Sequence, residues 1–144
     1  YEIASCLVGS EMCKETGTRD ALNTQKGNIK AVIEKGGDYC VALKGNQGNF
    51  YKDVQNYFDE DRLLIIESGY EGGYQLTRKK NHEAVITYEY YQTEKVNWYE
   101  EIEEWEGLKS IGLAKKTIEK SDGRKVEEKR YFFSCLYTDF FLTL

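Results

Sequence analysis

Proline is absent from this chain, histidine and methionine occur once each, and no apolar run approaches the roughly 20 residues of a membrane span. Each shortage excludes something. With His82 as the single imidazole and no GxSxG elbow, nucleophilic hydrolysis has little to work with. Gly45-Asn46-Gln47-Gly48 lacks the glycine spacing and the GK[ST] ending of a phosphate-cradling loop, and reads as a turn and helix start. Cys6, Cys13, Cys40 and Cys135 include no CxxC pair, so neither a zinc site nor a disulfide framework is signalled. Reduced thiols are expected, with Cys40 and Cys135 behaving as small hydrophobes inside strand-like runs. Tyr1 to Ser10 lacks the basic start and long apolar core of a signal peptide, which makes a cytoplasmic protein without a membrane segment the expectation. Cations are outnumbered too: a net charge of −5 argues against non-specific binding of nucleic acid by the whole chain, so any DNA contact has to be local.

What is present fits one soluble core of ordinary composition, with 144 residues, 40% apolar and 31% charged, and with 12 tyrosines that favour strands. Residues 1–19 show no sustained period and read as irregular. From Asn23, with Asn23 or Thr24 as cap, Ile29, Val32 and Ile33 recur at helical spacing until Gly36-Gly37 stops the helix. Tyr39 to Leu43 reads as a buried strand and Asn49 to Phe58 as an amphipathic helix closed by Asp59-Glu60-Asp61. Leu63 to Ile66 is a further short apolar run. The flexible Ser68 to Gly73 segment is the candidate boundary. Beyond it the texture is β-branched and aromatic. Ala84–Tyr91, Leu108–Glu119 and Val126–Leu136 read as strands of an antiparallel sheet, and Ser121-Asp122-Gly123-Arg124 as the turn joining the last two. Trp98–Trp105 reads as a short helix or loop. Its Glu100, Glu101, Glu103 and Glu104 read as a solvated face rather than metal ligands.

Asp20, alone, reads as a helix-capping aspartate. In combination with its neighbours it says more. Asp20-Ala21-Leu22-Asn23-Thr24-Gln25, then Lys35-Gly36-Gly37-Asp38-Tyr39 and Val41-Ala42-Leu43-Lys44-Gly45-Asn46-Gln47, closely resemble DDE-type insertion-sequence transposases of the H-repeat type. Asn81-His82, Tyr90-Tyr91-Gln92-Thr93, Trp105 to Gly112 and Glu128 to Phe132 follow in the same order, so the resemblance covers about residues 20–136. It implies an α/β (α+β) fold: a ribonuclease-H-like core over 20–67, a β-rich insertion over 68–136 and an unrelated tail over 137–144. In such enzymes three carboxylates hold two divalent ions, normally Mg2+, which activate water or a 3′-hydroxyl for attack on a DNA phosphodiester. The resemblance places Asp20 as the second of these acids, both catalytic and metal-binding.

The motifs that carry the other two acids do not occur in these 144 residues, so the expectation is an internal fragment of a transposase, inactive alone. The implied partners are insertion-sequence DNA ends and, as an option, a homo-oligomer. Lys44, Asn46 and Gln47, just past a strand end, read either as DNA contacts or as a plain helix-capping turn. His82 is a further DNA-contact candidate, although the residues after it depart from the family's His-Gly-Arg-Ile-Glu string. The alternative is a non-catalytic module binding DNA or a transposase through the basic run of Lys109, Lys115, Lys116, Lys120, Arg124, Lys125, Lys129 and Arg130, diluted by Glu119, Glu127 and Glu128.

Overall fold

The computed structural model describes residues 19–43 and 49–136, with side chains from residue 26 onward in the first helix. Helix α1 spans Arg19–Glu34. It starts earlier than the expected caps, because Ala21 and Leu22 are strong helix formers and no proline interrupts them. Its end is the expected one. Gly36 takes a positive φ of 77°, the Gly36 N–H donates to the Ile33 carbonyl, and the Gly37 N–H donates to that of Val32. This paired closure satisfies the last carbonyls of the helix.

Strand β1 (Cys40–Leu43) and helix α2 (Asn49–Tyr57) follow as read, α2 burying Phe50 and Val54. A third helix, α3 (Glu60–Glu67), replaces the expected short apolar run. The acidic triplet read as closing one helix opens the next: the Asp59 side chain accepts the Arg62 N–H at 2.8 Å, while Glu60 and Asp61 lie where the helix dipole favours anions.

Four long strands follow among the described residues: β2 (Gly73–Lys80), β3 (Ala84–Thr93), β4 (Ser110–Lys120) and β5 (Lys125–Ser134). β2 has no counterpart in the sequence reading. The order across the sheet is β1-β5-β4-β3-β2, and all four pairings are antiparallel. The architecture is therefore mixed α+β. The β4–β5 turn is where the sequence put it, with Gly123 at φ 89° and the Asp122 carboxylate accepting the Arg124 N–H.

Side chains alternate between the two faces of a strand, so the register assigns each residue a face. One face packs on the helices: Val41, Leu113, Tyr131 and Phe133 join Ile29, Phe50, Val54 and Ile66 in the main core. Phe50 is its centre, stacked on Tyr99 with ring centroids 4.4 Å apart and within 5.2 Å of Phe133. Trp105, also buried, packs edge-on to Phe133 at 4.9 Å. The Trp98–Trp105 segment supplies such rings from outside the regular elements, as do Tyr39 just before β1 and Phe58 just after α2. It forms turns with one 3-10 turn, Ile102–Glu104, and Glu100, Glu101, Glu103 and Glu104 are exposed as read. Cys40 and Cys135 are buried free thiols. No helix among the described residues is long and apolar enough to cross a membrane.

Candidate nucleic-acid interface

Beyond the helices the sheet continues. The first six residues of β5 and the last six of β2 are exposed, whereas the last four of β5 are buried. The distal halves of β2 to β5 thus form a four-stranded blade projecting from the core.

On the face opposite the helices, register brings Lys116 of β4 beside Tyr88 of β3 and Glu128 of β5, with Arg130 one rung nearer the root. Lys79 of β2 lies one rung further out, beside Ile86. The Lys79 and Lys116 ammonium groups each sit 5.9 Å from the centre of the Tyr88 ring, where the ring's negative face attracts them. Tyr88, Ala114, Lys116, Glu128 and Arg130 line a recess of about 250 Å³. With Lys120 at the end of β4, this face sets four cations against one carboxylate among the described residues. The helix-side face is different: Lys115 and Lys129 both pair with Glu127, at 3.5 and 3.6 Å. The basic run seen in the sequence is therefore split between two faces, one with its charge largely offset.

A second polar centre lies at the root, where the α3–β2 connection buries Glu71. Its carboxylate accepts from Tyr57 Oη at 2.8 Å and Arg62 at 2.8 Å, and pairs with Lys95 at 3.1 Å. Burial alone would raise its pKa. The bonds from Tyr57 and Lys95 and the charge of Arg62 outweigh that, and Glu71 is held below the ordinary carboxylate value. Tyr57 moves the other way, to about 12, first through burial and then through its bond to Glu71. Trp98 stacks on Tyr57 at 5.0 Å, and the Arg62 guanidinium lies 4.5 Å from the same ring. Every group here is satisfied by another, which describes a clamp joining α2, α3 and the β3–β4 connection.

Of the sequence-derived candidates, Asp20 stands in the first turn of α1, and its side chain lies outside the described ones. Lys44, Asn46 and Gln47 lie outside the described residues. His82 is exposed in the β2–β3 turn, where the neighbouring Asn81 carboxamide oxygen accepts the Glu83 and Ala84 N–H groups. Among the described residues no three His, Cys, Asp or Glu side chains converge as metal ligands. Lys79 and Tyr88 were not singled out from sequence. Their signal is the cross-strand register, which spacing within one strand does not carry.

No protein-family model and no solved structure matches the chain. Two curated proteins do. A protein of Escherichia coli O157:H7 named "Putative transposase YncI" is 28% identical over 127 residues, covering 86% of this chain and 32% of that protein. A Xanthobacter autotrophicus protein described by its position in the dhlA 3′ region is 27% identical over 120 residues, covering 83% of this chain and 39% of its own length. The chain thus spans about a third to two fifths of these relatives, and the relationship is a distant, transposase-like one.

Proposed function

We propose that these residues serve DNA transposition as the DNA-holding part of an insertion-sequence transposase, the blade lying along the phosphate backbone. The observation that supports this is a local excess of cations, larger on the face away from the helices than on the helix side, where Glu89, Glu119 and Glu127 stand among the cations. A chain of net charge −5 presents Lys79, Lys116, Lys120 and Arg130 on one strand face against a single Glu128 among the described residues. Phosphate contacts need such local cations, and a tyrosine between them adds a surface on which sugar or base can pack. In this reading the 20–67 region belongs to a ribonuclease-H-like core, and Asp20 is one of three carboxylates that hold Mg2+ for strand cleavage and transfer. The described residues supply no ligand set of their own, so no chemical step is routed through them. The same face also suits a non-catalytic module, because its binding does not depend on the acids.

The test compares two triple variants in DNA binding by fluorescence anisotropy over a range of salt. K79Q/K116Q/R130Q removes three cations from the proposed face, and its salt slope should fall by about 2.7, at roughly 0.9 per phosphate contact. K115Q/K125Q/K129Q, on the other face, should leave the slope nearly unchanged. Equal effects of the two triples would refute the assignment of the face, and no salt-dependent binding by the parent chain would refute the function.

A further inference from the structure

Among the described residues β2 pairs with β3 alone, leaving its other edge open over eight residues without a bulge or a proline. The phase of the ladder says which groups are exposed there. The Asn81 N–H donates to the Ala84 carbonyl, and alternate residues of an antiparallel pair share such bonds. Odd-numbered residues of β2 therefore bond β3, and Tyr74, Leu76, Arg78 and Lys80 direct their N–H and C=O groups outward.

Two further features mark this edge. Leu76 is 46% exposed at its middle, and Leu64, Ile65 and Tyr70 are exposed on the helix and turn leading into it. Charge is also divided along it. Arg78, Lys79 and Lys80 occupy one end, while toward the other the Tyr74 hydroxyl donates at 2.8 Å to Glu89, which lies on β3 opposite Leu76, and is within reach of Glu67 on α3. An edge that is basic at one end and acidic at the other is complementary to itself when reversed.

We propose that β2 pairs antiparallel with β2 of a second copy of this chain, about a two-fold axis at Leu76. This register sets Leu76 against its symmetry mate and Arg78 against Tyr74 of the second copy, beside Glu89 and Glu67. About six backbone hydrogen bonds form, and no cation faces a cation. Centring the axis on Arg78 would oppose two guanidinium groups. Centring it on Tyr74 would leave Arg78 without its carboxylates. The joined sheet would present the two basic faces on one side, which lets a dimer hold DNA at two places.

The register makes the proposal testable in the whole 144-residue chain with Cys6 and Cys13 replaced by serine. At a hydrogen-bonded antiparallel pair the Cα atoms lie about 5.5 Å apart, within disulfide reach. L76C should therefore form a covalent dimer under mild oxidation at least about tenfold faster than K80C, whose mates would lie on the order of 27 Å apart along the strands. Sedimentation equilibrium of the parent chain should show a dimer at concentrations on the order of 100 μM. Equal cross-linking of the two cysteine variants, or a parent chain that sediments only as a monomer at that concentration, overturns the proposal.

Discussion

Replacing Glu71 by glutamine keeps the shape of the clamp and removes its charge. Three groups converge on that carboxylate, at 2.8, 2.8 and 3.1 Å, and its side chain is 2% exposed. Arg62 and Lys95 both meet Oε1 and Tyr57 meets Oε2, so the amide oxygen can keep facing the two cations while the NH2 group takes the place beside the Tyr57 hydroxyl; what both cations lose is the counter-charge. Breaking a buried ion pair costs about 3–5 kcal/mol. Lys95 is largely exposed and rehydrates easily, and Arg62 is one third exposed, which reduces the figure. The expected loss for E71Q is about 3 kcal/mol in urea unfolding at pH 7, or roughly 9 °C in Tm for a domain of this size. The pH dependence is diagnostic. A carboxyl held below its ordinary value of 4.5 contributes stability that is present above that value and lost as pH falls through the folded pKa. The gap between parent and E71Q should therefore be full at pH 7 and close progressively below pH 4.5. A gap under about 1 kcal/mol at neutral pH, or one unchanged at pH 3, would refute the account.

G112A places a Cβ inside the Phe132 ring, which packs across the sheet onto the bare glycine. Overpacking of this kind costs about 1–3 kcal/mol, whereas G27A, in open space on α1, should stabilise by about 0.5–1 kcal/mol; parallel urea titrations check both. D59A removes the cap that accepts the Arg62 N–H and should cost about 1 kcal/mol, with a loss of α3 protection visible in amide exchange.

Where a residue's partners are close in sequence, the chain was readable: Gly36-Gly37 ends α1, Ser121 to Arg124 turns β4 into β5, and Phe50 and Val54 face inward on α2. The reading missed α3 because Leu63 to Ile66 is apolar all round, without the one-sided stripe that marks a surface helix. It missed β2 because both faces of its outer half meet water, so Leu76 to Lys80 show no alternation. The basic interface was half legible. Lys116 and Arg130 stood out as charges, but only the register with β3 and β2 shows that they share a face with Lys79 and Tyr88 while Lys115 and Lys129 do not. The clamp at Glu71 could not have been read, since a lone glutamate in a glycine-rich connection looks like solvent-exposed loop.

The pairing of β1 with β5 bears on the order in which the chain folds. β2 to β5 join through neighbours in sequence, so those rungs form from short-range encounters. The β1 rung instead joins Cys40 to Ser134, 94 positions apart. Closing a loop of that length costs chain entropy of about 4 kcal/mol before Cys40 and Val41 bury anything. Long-range pairing of this sort slows folding. The four-stranded meander should therefore assemble first and serve as the template on which α1 and β1 dock, making their attachment the last rung to close and the first to open.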